Sequence, residues 1–305
     1  MIKRFCFILV LVMTLPAIAF TQQQPGLITV TANGVSFKMI LVQGGTFTMG
    51  ADCMPHSVTL STYYIGETEV TQELWQAVMG SNPSYFKPEV TNAAQCSYEA
   101  FVADAKRLNA RKPGTVRIPS EQEWNATMVT MTGSLKRPVE YVSWNDCQEF
   151  IRKLNQITGR KFRMPTEAEW EFAARGGNKS QGYKYSGSNN HDDVAWYRDN
   201  SGNDGTHVVK TKKPNELGIF DMSGNVSEWC QDWYSEYTSE AQTNPKGPDR
   251  GTQRIYRGGN CFFDVEEWFD YDRLMKPMRG EMYPDRREAT GVELYYMGLR
   301  LVLES

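Results

Sequence analysis

The sequence predicts an α+β domain of irregular architecture, in which short strands and few helices are joined by long loops. Glycine, tryptophan and tyrosine are abundant, at 25, 8 and 15 of 305 residues, and this favours a loop-rich, aromatic-packed domain over a helical bundle. The stretch 176–221 is rich in Gly, Asn, Ser and Asp and lacks helical periodicity. No break in composition marks a boundary, so we expect a single domain at residues 36–305.

Composition and charge exclude several functional classes. Charged residues make up 23% of the chain, close to the average for folded proteins, so the chain as a whole is not intrinsically disordered. The 33 basic and 36 acidic residues give a formal net charge of −3, which argues against a nucleic-acid partner. Three histidines leave little room for a multi-histidine metal centre.

The N-terminus has the pattern of a secretory signal peptide. The basic pair Lys3–Arg4 precedes the apolar run 5–13, and Ala17-Ile18-Ala19 has the form of a cleavage site. The apolar run is too short to span a bilayer, and no second candidate follows it. We expect a signal peptide at residues 1–19, a polar leader at 20–35, and an exported protein that is periplasmic, attached to the cell envelope or secreted.

Five cysteines follow the signal peptide, and they form no recognisable metal or redox motif. An odd number in an oxidising compartment implies at least one free thiol, and no Cys-x-x-Cys pair is present. Spacing does not determine the pairing, although Cys53 and Cys96 are a possible pair because both lie in loop-like stretches. We expect Cys147 and Cys230 to be buried packing thiols.

Short strands open and close the domain, with one helix after the first group. Thr71 has the position of an N-cap for a helix that carries apolar residues on one face, and Gly80 lies just past its end. Strand-like runs occur at 27–30, 37–42, 58–65, 254–259 and 297–303.

An internal repeat lies between these groups. Residues 96–124 align without gaps onto residues 142–170 at a constant offset. Each copy reads as a helix, a turn, an extended Arg-x-Pro and a second helix. The second helix begins with a capping box, Ser120-x-x-Glu123 in one copy and Thr166-x-x-Glu169 in the other. Two copies are too few for a solenoid, so we interpret the repeat as a duplicated element inside one domain.

Seven motifs occur in order between about residues 39 and 303. They are Gly44–Gly50, Glu69–Thr71, Pro138–Trp144, Arg163–Gly177, Gly224–Trp229, Arg257–Gly259 and Gly298–Arg300. Each is weak alone, but the ordered set resembles the formylglycine-generating enzyme (sulfatase-modifying factor) family. The resemblance implies an α+β fold similar to C-type lectins, with short strands, few helices and much irregular backbone.

The family's chemistry converts a cysteine in a Cys-x-Pro-x-Arg sequence to formylglycine with oxygen and a copper ion. Two thiolates hold the copper, since a cuprous ion prefers soft ligands. By resemblance, these thiolates belong three and eight residues after Asn260, where this chain has Phe263 and Trp268. Neither side chain can bind copper. We therefore expect a non-catalytic relative that has no copper cofactor.

The resemblance also implies a calcium site. Its ligands would be Asp221, the backbone carbonyls of Gly224 and Val226, and Glu228. Two carboxylates and backbone oxygens within eight residues suit a hard cation that takes six to eight oxygen ligands. The alternative is a plain turn in which Asp221 accepts hydrogen bonds from nearby backbone amides.

The segment 260–297 is the candidate ligand-binding region. In active relatives this region lines the peptide groove, and in lectin-fold relatives diversified by retroelements it is the variable ligand surface. Its aromatic residues alternate with arginines and acids, which is the composition of protein-binding surfaces, although an ordinary packed C-terminal segment is the alternative. The candidate ligand-binding residues are Phe262, Phe263, Trp268, Phe269, Tyr271 and Arg273.

These observations predict an exported binding protein for a protein or glycan ligand, or a scaffold of the cell envelope, that uses its C-terminal face. The alternative is a formylglycine-generating oxidoreductase acting on a sulfatase cysteine, with a rearranged site that uses Cys261. Arginines and tryptophans of the motifs have structural interpretations. We expect Arg175, Arg257 and Arg300 to bind carboxylates or carbonyls inside the fold, and Trp75, Trp124, Trp144, Trp170, Trp229 and Trp233 to lie in the core.

Overall fold

The computed structural model describes residues 26–50, 54–87, 134–201, 205–262 and 296–305, together with residues 102, 106 and 120 and the strand 280–282. The expected α+β fold with short strands and few helices is confirmed. The strands are β1 (Leu27–Ala32), β2 (Val35–Val42), β3 (Gly45–Met49), β4 (His56–Leu60), β5 (Tyr63–Gly66), β6 (Phe162–Arg163), β7 (Ala195–Trp196), β8 (Ser223–Gly224), β9 (Ser227–Trp233), β10 (Gln242–Thr243), β11 (Arg254–Arg257), β12 (Gly280–Met282), β13 (Met297–Leu299) and β14 (Val302–Glu304). The helices are α1 (Gln72–Met79), α2 (Trp144–Thr158), α3 (Glu167–Ala174), α4 (His191–Val194) and α5 (Arg198–Ser201).

The strands form four small sheets in the described part of the chain. The largest has the order β1-β2-β5-β14-β6, so the last strand, β14, lies between β5 and β6. A second sheet has the order β10-β4-β3, a third has the order β12-β11-β9-β13, and β7 pairs with β8. β13 runs parallel to β9 and forms one edge of the third sheet.

The domain begins earlier than residue 36, the start expected from the sequence. β1 pairs with β2 as an antiparallel hairpin through Asn33 and Gly34, which both have positive φ, as a tight hairpin turn requires. Val30 and Ala32 are buried in the main core cluster. The boundary at residue 35 is therefore wrong, because the apolar residues of β1 cover the sheet instead of extending into solvent.

The longer helices begin and end at the residues that the sequence indicates. Thr71 accepts a hydrogen bond from the amide of Leu74, and α1 stops at Gly80, whose φ is 83°. The predicted capping box of Thr166 and Glu169 is present at α3, and Ser143 forms another with Asp146 at α2. In the described residues, no helix is both long and apolar enough to cross a membrane.

The tryptophans divide between the core and the surface. Trp75, Trp170 and Trp229 are buried, as expected. Trp144 and Trp233 are instead half-buried, and the Arg254 guanidinium stacks on both rings, 3.8 Å and 3.4 Å from their centroids. Arg254 thereby covers the faces of these two rings that do not pack against the core. Trp124, Cys53, Cys96, the signal peptide and nearly all of the first repeat copy lie outside the described residues.

Candidate functional site

Three stacked rings lie at the two ends of the segment 263–295. Phe262 and Tyr296 stack with centroids 4.0 Å apart, and Phe86 stacks against both, at 5.9 Å and 6.1 Å. We call these three residues the aromatic cluster. Phe262 immediately precedes the segment 263–295, and Tyr296 immediately follows it. The two ends of the segment are therefore held side by side.

Polar contacts fix the backbone around the aromatic cluster. The guanidinium of Arg198 donates from Nε to the carbonyl oxygen of Phe262 at 2.9 Å. The Asn260 side chain accepts a hydrogen bond from the Phe262 amide and donates one to the Ser227 hydroxyl. Gly205 leaves room for the Phe86 ring, because a Cβ atom there would lie 2.3 Å from it. The Phe262 end of the segment is thus attached to β9 and to α5, and it stacks on Tyr296 at the other end.

The buried carboxylate of Glu140 contacts the backbone of Phe86, one of the residues of the aromatic cluster. Glu140 is fully buried, and its two oxygens accept hydrogen bonds from the amides of Tyr85 at 3.0 Å and Phe86 at 2.9 Å. The Glu140 amide in turn donates to the hydroxyl of Ser84. Burial raises the pKa of Glu140 to about 7, and the hydrogen bonds from the two amides offset part of that rise.

Cys261 lies next to Phe262 but is not a reactive thiol. It is 2% exposed and packs with Phe86 and Tyr296. Burial raises the pKa of the Cys261 thiol well above its ordinary value, and the nearby Glu140 carboxylate adds to this rise. Cys147 and Cys230 are also buried and free, as expected for packing thiols. Each of the three cysteines in the described part of the chain is therefore free and buried.

The structure places one of the six candidate ligand-binding residues. Phe262 is half-buried in the aromatic cluster, where it holds the end of the segment in place. Phe263, Trp268, Phe269, Tyr271 and Arg273 lie outside the described residues. Their role in binding stays a prediction.

Glu228, one of the four candidate calcium ligands, belongs to a buried ion pair with Arg300. Glu228 and Arg300 are both fully buried, and the guanidinium donates to the two carboxylate oxygens at 2.7 Å and 2.9 Å. The indole Nε1 of Trp170 also donates to Glu228, at 2.6 Å. Arg300 further donates to the carbonyl oxygens of Gly66 and Phe220. Arg300 therefore supplies the positive charge that balances this carboxylate.

Two more buried carboxylates face the same guanidinium. Asp221 accepts a hydrogen bond from the Lys210 amide at 2.6 Å, and burial raises its pKa to about 6, an effect that Arg300 partly offsets. Burial and the neighbouring Asp221 raise the pKa of Glu69 well above its ordinary value. One oxygen of Glu69 accepts from the Asn225 amide group at 3.3 Å, while the other has no hydrogen-bond partner among the residues that the structure describes.

This arrangement does not fit a calcium ion held by Glu228. Both of its oxygens already accept short, charge-assisted hydrogen bonds, and a cation there would lie against the Arg300 guanidinium. In the described residues, no three carboxylate, histidine or cysteine side chains are grouped so that they could hold a metal ion. Gly224 lies in β8 with φ at 80°, packed closely against the Trp196 carbonyl. The Asp221 side chain instead accepts the amide of Lys210, 11 residues earlier in the chain, and not an amide of its own turn.

Chelation provides a direct test of this conclusion. We expect a chelator of divalent cations to change the melting temperature by less than about 2 °C, which corresponds to less than about 1 kcal/mol for a domain of this size. The measurement is thermal unfolding followed by circular dichroism, with magnesium in place of calcium as the control. A loss of several degrees that calcium but not magnesium restores would contradict it.

The three expected arginine contacts are confirmed. Arg300 binds Glu228, as described above. Arg257 lies between Glu167 and Glu171, with N–O distances of 2.7 Å and 2.9 Å, and Arg175 binds the second of these carboxylates at 2.9 Å. These pairs tie α3 to β11 and belong to the fold.

Sequence reasoning did not identify Phe86, Glu140 or Glu69 as parts of a site. The available signal for Glu140 was a single acid within the apolar run Pro138–Val142. Phe86 had no signal, because its partners lie far away in the chain. Glu69 belongs to a recognised motif, but nothing in its spacing predicts that it lies beside Asp221.

Curated relatives and solved structures resemble this chain over most of its length. It is 37% identical over 249 residues to the chaperone protein LppX of Paenibacillus barcinonensis, covering 76% of this chain and 81% of that one. It is 31% identical over 251 residues to the formylglycine-generating enzyme of Streptomyces coelicolor, covering 72% and 77%.

Two solved structures share the fold. Treponema denticola variable protein 1 has a TM-score of 0.66 and 31% identity, covering 92% of this chain and all of that one. PvdO from Pseudomonas aeruginosa, at 19% identity, shares the fold with a TM-score of 0.59 over 92% of this chain and 99% of its own. The model of the sulfatase-modifying factor enzyme 1-like domain matches residues 27–305. The chain therefore belongs to the sulfatase-modifying factor (formylglycine-generating enzyme) family.

Proposed function

We propose that this protein is an exported, non-catalytic member of its family that binds a protein or glycan ligand through its C-terminal face. We define this face as the segment 263–295 together with the aromatic cluster. The observation that carries the proposal is the stack of Phe262 on Tyr296, which brings both ends of the segment to one point on a rigid scaffold. Binding segments in proteins are commonly carried in this way, as loops positioned by packed strands and helices.

The composition of the segment supports a binding role. It contains Phe263, Trp268, Phe269 and Tyr271 interleaved with arginines, a lysine and acids. Large aromatic side chains supply contact area at a small cost in conformational entropy, and arginine supplies directional hydrogen bonds. The chaperone name of the relative LppX favours a protein ligand over a glycan. The predicted signal peptide at residues 1–19 supports export.

The residues at the copper positions weigh against catalysis. Phe263 and Trp268 stand where copper-binding thiolates belong, and the nearby Cys261 is buried with its thiol pKa raised. A thiolate, and not a thiol, binds copper, so this cysteine is a poor ligand as well as a single one. The resemblance to formylglycine-generating enzymes keeps an oxidoreductase as the alternative.

A variant of the segment tests the binding role. The mature protein would be immobilised, and its capture of proteins and glycans from the source cell envelope compared with that of a Phe263→Ser, Trp268→Ser, Phe269→Ser variant. We expect the variant to lose at least about tenfold in affinity for the captured molecule, because aromatic anchors dominate binding energy. Phe262 stays unchanged in this variant, since it packs in the aromatic cluster.

The matched control changes exposed apolar side chains elsewhere. Met54 and Ile157 are 44% and 40% exposed, and a Met54→Ser, Ile157→Ser variant should capture the same molecule as the unchanged protein. Equal capture by all three proteins would assign the interaction to another surface and favour the scaffold interpretation.

A peptide assay separates binding from catalysis. We expect a Cys-x-Pro-x-Arg peptide incubated with the protein, copper and air to keep its mass. A mass change in the peptide that a Cys261→Ser variant no longer produces would establish the oxidoreductase alternative.

A further inference from the structure

The Glu140 side chain is directed inward by an unusual local backbone. The next residue, Tyr141, has a φ of 63°, a left-handed conformation that is strained for a tyrosine. Tyr141 is 40% exposed while Glu140 is fully buried. The amide of Val139 donates to the carbonyl of Val70, which fixes the chain just before the turn. The strained turn therefore keeps a carboxyl group in the interior next to an exposed aromatic residue.

Glu140 organises the loop that carries Phe86. Its two oxygens accept the amides of Tyr85 and Phe86, and the carbonyl of Phe86 accepts a hydrogen bond from the Gln72 side chain at 3.2 Å. Because Phe86 stacks on both Phe262 and Tyr296, the position of this loop decides whether the aromatic cluster can close.

Few charged groups face this carboxyl group in the described part of the chain. Arg137, on the same loop, attracts the ionised form of Glu140, but its effect is smaller than that of burial. The buried Cys261 thiol, in the turn after β11, lies close enough to Glu140 and to Glu69 for both carboxylates to raise its pKa. The surroundings are therefore dominated by burial, which favours the neutral carboxyl group.

We propose that Glu140 is a positioning residue of the C-terminal face, and that its protonation favours the closed aromatic cluster. The biological meaning of this inference rests on the proposed binding function. The mechanism follows from the geometry. An open loop would expose the carboxylate to water, whereas the closed loop buries it. Closing is thus easier when the group is neutral.

The direction of the pH dependence follows from the raised pKa. Glu140 titrates near its ordinary value of 4.5 when exposed and at about 7 when buried. The stabilisation of the closed loop is complete below about pH 4.5, decreases as the pH rises towards 7, and is lost above it. We therefore expect the aromatic cluster to be closed more tightly in mildly acidic conditions than in alkaline ones.

Amide hydrogen exchange tests this directly and needs no ligand. The protection factors of the Tyr85 and Phe86 amides would be measured from pH 5 to pH 8.5, corrected for intrinsic exchange and compared with core amides of β9. Relative to those core amides, we expect the protection factors to fall by up to about tenfold per pH unit between pH 5 and 7, and then to level off. A profile parallel to that of the β9 amides would overturn the proposal.

Two variants separate positioning from general stability. Glu140→Gln keeps the size of the side chain but not its charge, so the relative protection of both amides should become independent of pH. Asp232 is a matched control, because burial raises its pKa to about 7 as well, and it accepts the Glu167 amide at a distance from the cluster. Asp232→Asn should keep the unchanged protein's pH profile at Tyr85 and Phe86. A Glu140→Gln profile equal to that of the unchanged protein would overturn the proposal. If the exchange profile holds while the ligand-capture experiment fails, only the binding function is lost.

Discussion

Replacing Arg300 by methionine is expected to lower the free energy of unfolding by about 3–5 kcal/mol, a large loss for a single side chain. The guanidinium is fully buried and balances Glu228, while Glu69 and Asp221 lie within its influence. Removing the guanidinium leaves the buried Glu228 carboxylate without its cation. Burial already disfavours the ionised forms of Glu69 and Asp221 in the same surroundings. Urea unfolding followed by tryptophan fluorescence gives the measurement.

A surface arginine and a double variant serve as controls. Arg152 pairs with Glu149 on the exposed side of α2, and Arg152→Met should change the stability by less than about 0.5 kcal/mol. A double variant with Arg300→Met and Glu228→Met removes both charges. Its loss in free energy of unfolding should be at least about 1 kcal/mol smaller than the sum of the losses of the two single variants. Additive effects would mean that the two side chains do not stabilise each other.

The second large effect is expected at Gly224. Its φ is 80°, and an added Cβ atom would lie 2.2 Å from the carbonyl oxygen of Trp196. The same carbonyl oxygen accepts a hydrogen bond from the Asn225 amide, and β7 pairs with β8 at this point. The Trp196 backbone therefore cannot easily move away from an added Cβ atom. We expect Gly224→Ala to lower the free energy of unfolding by about 3–5 kcal/mol, from backbone strain and overpacking together.

Gly218 offers a matched control for backbone strain alone. Its φ is 86°, but an added Cβ atom would have no neighbour within 4 Å in the part of the chain that the structure describes. Gly218→Ala should therefore cost only the strain, about 1–2 kcal/mol. Equal losses of stability for the two alanine variants would contradict the close approach of β7 and β8. The measurement is again urea unfolding.

Features with a local cause could be predicted from the sequence. The capping residues Thr71 and Thr166, and the glycine that ends α1, act within four residues of their position, so their spacing is sufficient. The arginine contacts were predicted as a type, but the partner of each could not be assigned, because Arg300 and Glu228 are brought together only by the parallel pairing of β13 with β9.

Features with a distant cause could not be predicted. Glu140 and Phe86 lie 54 residues apart, and the stretch between them includes the first repeat copy. The calcium set depended on treating Glu228 as an open ligand, and only the fold brings the Arg300 guanidinium and the Trp170 indole to it. The early start of the domain was missed although 27–30 was recognised as strand-like, because the contacts that attach β1 to the domain come from α1 and α2, which follow much later in the chain.

The stack of Phe262 on Tyr296 has an evolutionary consequence. Because the segment 263–295 begins and ends at one point, its length and sequence can change while β9, β13 and β14 keep their partners. The cost of a longer closed segment grows only with the logarithm of its length, by about 0.6 kcal/mol for each doubling. Selection can thus change this segment without having to discover a new fold.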